Sequence, residues 1–380
     1  IHKGMTSRDL TDNVEQLQII RSLRLIRTKT IAILYKLSIW SLKTKKILLA
    51  SRTHNIPAQP TTLGKRLSMF GEEILFALKR LDNLIENYPI RGLQGAVGTQ
   101  LDQIVLLKGD KEKVKILSEQ ISNHFGCKTS LNSLGQVYPR SIDMETVNAL
   151  ITVSSGISNF ARTIRLMAGQ GLVSEGFKKG QIGSSAMPHK MNARTSERIN
   201  GFHNILKGYG TMLAGISGDQ WNEGDVSCSV VRRVALPGSF FASDGQLEAT
   251  LTVLSEMEFF ETVITKEVRK FLPFMASTIF LMESLKKGCK REEVFEAIKE
   301  NLNKASHEIR EERLKENDLI QRIAKDKRIP LDIKEVKSIL KNRENFAASA
   351  PNQSEKFASE VEKWTKRFPE SKKISAEAIL

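Results

Sequence analysis

A chain of 380 residues, 40% hydrophobic and 27% charged, is long enough to bury a large core and form two or three domains, which excludes a peptide or single small module. No apolar run approaches the roughly 20 residues needed to cross a bilayer, and Ile1-His2-Lys3-Gly4-Met5-Thr6 lacks the apolar centre of a secretory signal. The 58 Lys and Arg against 43 Asp and Glu give a net charge of +15, yet the charges are spread along the chain, aromatics are 6%, and no nucleic-acid motif is present; the excess points to a small, highly anionic ligand and lysine-rich solvated faces rather than nucleic acid.

Between Leu10 and Leu49, apolar residues at helical spacing (Leu23, Ile26, Ile33, Leu37, Trp40) predict one or two long helices. The polar stretch Ser51 to Thr62, with Pro57 and Pro60, reads as a loop that re-enters a helix near Leu63, running to about Tyr88. Three glycines between Arg91 and Thr99 mark a break. Further helices are expected at about Lys111 to His124, Asp143 to Ala168, Asn192 to Leu213 and Val230 to Ile264. Pro273 interrupts the pattern, shorter and more charged helices follow, and the polar region Arg343 to Ser359 reads as a loosely packed linker to a last short helix. With strand patterns almost absent, the predicted class is all-α: a long-helix bundle whose apolar stripes are buried against partner chains, then a smaller C-terminal helical domain.

Four polar clusters fall at helix boundaries, where loops hold functional groups on a rigid frame. Met5-Thr6-Ser7-Arg8-Asp9 offers hydroxyls and amides near a helix start, which suits a carboxylate and equally suits an N-cap by Ser7 or Asp9. Arg52-Thr53-His54-Asn55 places a histidine in a polar, proline-flanked loop, making His54 the foremost acid/base candidate. Gly183-Ser184-Ser185-Ala186-Met187-Pro188-His189-Lys190-Met191-Asn192 packs two hydroxyls, a cation and an amide around a glycine-opened turn, a loop suited to an anion and to moving as a lid. Ser229-Val230-Val231-Arg232-Arg233 supplies a hydroxyl and two guanidinium forks, on a helix face that solvation alone would also explain. The six histidines show no metal-ligand spacing and Cys127, Cys228 and Cys289 lie far apart, so neither a metal site nor a disulfide framework is expected, and a reducing, cytoplasmic setting fits.

The ten-residue glycine loop resembles the signature sequence of the fumarase/aspartase superfamily. Its context from Gly180-Gln181-Ile182 to Glu197-Arg198, with Thr61-Thr62-Leu63-Gly64-Lys65-Arg66, Gly135-Gln136-Val137-Tyr138, Gln220-Trp221-Asn222-Glu223 and Leu272-Pro273-Phe274-Met275-Ala276, is similar to the adenylosuccinate lyase family across nearly the whole chain. The resemblance implies cleavage of the C–N bond of an N-succinyl nucleotide with release of fumarate, without a cofactor. It assigns Ser184 as base, Lys190 and Asn192 as stabilisers of the aci-carboxylate and His54 as acid, with Thr6, Ser7, Lys65, Gln136, Arg198, Ser229 and Arg233 binding substrate. It also implies a homotetramer whose sites draw on three subunits, and domains at 1–10 (a remnant of an N-terminal domain), 11–267 and 268–380. Two departures stand out. Gly224 occupies a position where many members carry an arginine, leaving Arg232 and Lys65 as candidate replacements. The roughly hundred residues expected before the Thr-Ser pair, with a second histidine, are not in this sequence, so the alternative expectation is a weak or inactive scaffold.

Overall fold

The computed structural model describes residues 2–127, 130–176, 187, 189–311 and 317–376. The chain divides into two units assembled from interleaved segments: Ile1–Ser38, Met69–Glu258 and Ser359–Leu380 form the first, and Ile39–Ser68 with Phe259–Ala358 the second. Among the described residues no helix is long and apolar enough to cross a membrane.

The apolar repeat at the start of the chain forms one helix, α1 (Ser7–Lys43), whose Ile19, Leu23, Ile26, Ile33 and Leu37 are buried. The segment expected to be a loop is instead a β-hairpin, β1 (Leu48–Thr53) paired antiparallel with β2 (Ile56–Thr62). Its two-residue turn is His54-Asn55, with φ of 50° and 63°, the left-handed pair that matches the twist of a hairpin. The prolines that suggested a loop lie on β2, and a two-stranded sheet tolerates a strand residue without an N–H.

Next come α2 (Leu63–Glu86), the short α3 (Leu101–Leu106), which the sequence pattern did not reveal, and α4 (Lys111–His124), started by the Asp110 carboxylate accepting from Lys113 N. Helices α5 (Ser141–Gly169), α6 (Arg194–Ile216) and α7 (Ser227–Glu256) complete the first unit's scaffold. The helix expected to reach Ile264 stops at Glu256, because Met257 is extended, and α8 (Glu261–Met275) begins after the break. Within the first unit, Phe70 on α2 meets Phe160 on α5 edge to face at 6.2 Å, and α1 is tied to α2 by Arg27–Asp82 (2.8 Å) and to α7 by Lys29–Glu248 (2.7 Å).

In the second unit α8 runs on through Pro273 and ends two residues later, so the proline precedes a helix end rather than breaking the helix where it stands. Helices α9 (Ser277–Lys286), α10 (Arg291–Arg310), α11 (Leu319–Lys325) and α12 (Ile333–Lys341) gather around a core that includes Ala50, Phe280, Ala297, Ile323 and Val336. The stretch read as a loose linker is ordered: a 3₁₀ turn at Arg343–Ala347 leads into the 18-residue α13 (Ala350–Arg367). Ala350, Ser354, Phe357 and Val361 recur at spacings of three and four, and all are buried; this narrow stripe was masked by the polar residues between them.

Candidate active site

The site is built on a buried cation. Arg91 is wholly buried and pairs with Asp9, while its Nε donates to Gln136 O at 3.0 Å and its Nη2 to Gly95 O at 3.0 Å. Asp9 also accepts from Gln94 N at 2.9 Å and Thr6 N at 2.8 Å. A charge this deep is tolerable only when its hydrogen bonds are met, so one guanidinium fixes the start of α1, the glycine-containing break and the Gln136 stretch together. Asp9 thus acts as the third residue of α1, reaching back to the N–H of Thr6, rather than as a simple cap. Gln136 N donates to Glu223 O at 2.7 Å, and a Cβ on Gly135 would lie 2.2 Å from that carbonyl, so only glycine permits this approach.

A second buried network lies beside the first. Arg232 Nε reaches Asp143 at 2.6 Å, Nη1 reaches Glu15 at 2.7 Å and Nη2 reaches the Tyr138 hydroxyl at 2.5 Å, while Tyr138 donates to Asp143 at 2.6 Å. Burial opposes the charge on Arg232, but Tyr138, Asp143 and Glu15 outweigh it and hold its pKa above the ordinary value. Burial, reinforced by Asp143, raises Tyr138 well above its usual range, keeping the phenol neutral. Arg232 was a candidate for replacing the arginine absent at Gly224; the structure commits all of its paired nitrogens elsewhere.

These networks frame a cavity of about 850 Å³ within the first unit. It brings together four of the expected residues, Ser7, Gln136, Ser229 and Arg233, with Thr6 adjoining Ser7. The starts of α1 and α7 both meet it, so their helix dipoles add positive potential at the end that carries the arginines. Ile19, Leu236 and Phe240 line the other part, giving one anion-binding and one apolar end. The arrangement suits an anionic ligand with a flat apolar body.

The remaining expected residues are elsewhere. Ser184 lies outside the described residues, with most of the glycine-rich loop. Both ends of that loop are nonetheless fixed: the buried Glu175 carboxylate accepts from Thr195 N at 2.7 Å and from Ser196 N at 2.9 Å, capping α6 from the far side of the loop. Lys190 is exposed in a turn where its N–H meets Met187 O at 3.0 Å; Asn192 is half-buried just before α6, and Arg198 is exposed on it. None of these three lines the cavity. His54, at the exposed hairpin tip, and Lys65, in the first turn of α2, belong to the second unit. Sequence reasoning assigned no role to Arg91, Glu175 or Glu15; a lone buried arginine or glutamate carries no local pattern, since its partners are tens of residues away. Arg8 lay within a singled-out motif, yet its reach to Ser229 depends on a contact 221 residues distant.

Solved structures with the same fold include 3-carboxy-cis,cis-muconate lactonizing enzyme from Pseudomonas putida (TM-score 0.78, 20% identity, 96% of this chain and 78% of that one). Fumarate lyase from Mesorhizobium sp. BNC1 is similar to the same extent (TM-score 0.78, 17% identity, 94% and 78%). The family model described as "Lyase" matches residues 1–205, which with the fold defines the class: a lyase of the fumarase/aspartase superfamily. The model "Adenylosuccinate lyase C-terminus" matches residues 273–357. Relatives named adenylosuccinate lyase are 32% identical in Saccharomyces cerevisiae and 34% in Schizosaccharomyces pombe, each covering 94% of this chain and 74% of the relative. The chain belongs to the adenylosuccinate lyase family.

Proposed function

We propose that the chain eliminates fumarate from adenylosuccinate to leave AMP, and from the succinocarboxamide ribotide of purine synthesis to leave the aminoimidazole carboxamide ribotide. Family membership and the cavity that gathers Ser7, Gln136, Ser229 and Arg233 between two helix starts support this reading. Ser184 takes the proton from the carbon beside a carboxylate, the C–N bond breaks, and His54 protonates the departing nitrogen. Charge builds on the carboxylate as the proton leaves, and Lys190 and Asn192 meet it with fixed donors whose effect grows as water is excluded. The field of these groups lets a serine hydroxyl, a weak base in water, serve as base. Thr6, Ser7, Lys65, Gln136, Arg198, Ser229 and Arg233 hold the carboxylates, base and phosphate.

The family resemblance implies a homotetramer with shared sites, and the reading includes it. The reading places the chain in a reducing cytoplasm, as the wide sequence spacing of Cys127, Cys228 and Cys289 suggests. The test is fumarate release from adenylosuccinate by the full-length protein, set against Ser184→Ala and His54→Ala. The wild type should turn over, Ser184→Ala should be nearly inactive, and His54→Ala should lose about 10²–10⁴-fold in kcat. Silence of the intact protein removes the assignment, and full activity in Ser184→Ala removes that residue as base.

A further inference from the structure

We propose that Arg8 is the cation that completes the phosphate subsite, acting with Arg233 and Ser229 on the nucleotide phosphate; this rests on the nucleotide reading above. Gly224 has a φ of +145°, in the region that favours glycine, and a Cβ there would lie 3.2 Å from Val137 Cγ2, so this backbone discourages a side chain at that position. Any cation on that part of the cavity must come from another segment.

Arg232, the nearest in sequence to Ser229 besides Arg233, is spent on Asp143, Glu15 and Tyr138. Lys65 does not line the cavity. Arg8 does, and its Nη2 donates to Ser229 Oγ at 2.6 Å. Since that hydroxyl accepts from the guanidinium, its own hydrogen remains to donate to an anion in the cavity.

The ion pairs around Arg8 leave it able to meet an anion. Arg8 Nη1 lies 3.1 Å from Asp12, but Arg140 also reaches that carboxylate, at 3.4 Å, so two cations share one anion. Arg233 has no partner among the described residues and adds a second uncompensated charge. Glu15, a carboxylate on the cavity wall, is paired with Arg232, which Asp143 also engages, and sits two turns along α1, roughly 10 Å from Arg8 by helix rise. Arg8 and Arg233 thus line the cavity together at the end with the helix starts, two guanidinium groups suited to a phosphate monoester, which carries about −1.5 to −2 near neutral pH.

The experiment measures binding of AMP and of adenosine to the full-length protein, for the wild type, Arg8→Gln and Arg8→Lys, together with kcat and KM for adenylosuccinate. Arg8→Gln should weaken AMP by about tenfold or more, as expected for a charged hydrogen bond, while adenosine stays within about twofold. Its KM should rise with kcat little changed, and Arg8→Lys should recover part of the loss, keeping the charge but not the fork. If AMP and adenosine weaken together, Arg8 supports the local fold through Ser229 and Asp12, and the proposal is overturned. Unchanged AMP binding overturns it as well. A wild type that releases no fumarate and binds AMP no better than adenosine refutes the nucleotide reading itself, an outcome separate from any difference between variants.

Discussion

His203 illustrates how one side chain translates burial into pH dependence. It stands on α6 with Nδ1 2.8 Å from the Ser154 hydroxyl of α5, and burial, then Lys207 and Arg162, lower its pKa, with Glu73 opposing. A histidine whose folded pKa is depressed favours the folded state above the unfolded value of 6.5, and that contribution is lost as pH falls through the folded value. Thermal melts between pH 8 and pH 5 should therefore show the wild type losing more stability on acidification than His203→Gln; parallel losses would refute the assignment. At this scale the sequence revealed the chemistry of a residue only where neighbours in the chain shared it. Ser7, Ser229 and Arg233 stood out in short polar motifs, whereas Arg91 became visible only once folding placed Asp9 and Gln136 around it.

The elements were more legible than the residues. Helix α4 has the boundaries that its pattern predicts, Lys111 to His124, and α5 and α6 depart from theirs by no more than three residues, because an amphipathic stripe is a local property of the chain. The hairpin and α13 were not legible. In the first, prolines concealed strands that need only one neighbour; in the second, a stripe of small and aromatic residues was diluted by charges. The cap on α6 is also a tertiary feature, since Glu175 precedes the helix by 19 residues. Removing that carboxylate in Glu175→Ala strands two backbone N–H groups and the Ser196 hydroxyl, and should cost about 2 kcal/mol in urea unfolding, with Glu175→Gln losing less. Equal stability of all three proteins would show that the cap contributes nothing.

For the whole molecule, the exposed face of α7 bears on assembly. Val230, Val234 and Phe241, spaced four and seven apart, are 70%, 53% and 77% exposed in the single chain. Such an apolar row on one helix face fits the helix-against-helix contact of the proposed homotetramer. Val234→Glu leaves the helix a good former and lies off the cavity lining, so it should fold and yet sediment as smaller species than the wild type. A wild-type protein that sediments as a monomer would remove the tetramer from the reading.

By itself the sequence determined the all-α class, the spans of α4, α5 and α6 and the lyase family, because helical periodicity is written in nearest neighbours and the signature motifs are contiguous. Only the tertiary structure decided that residues 39–68 join 259–358 in one unit, that Arg232 is consumed by its own network, and that Arg8 reaches Ser229. The physical reason is that ion pairs and close backbone approaches depend on distances between segments far apart in the chain. The glycine at 224 shows the difference well: in the sequence it is a missing arginine, and in the fold it is a backbone angle at which a side chain would be strained.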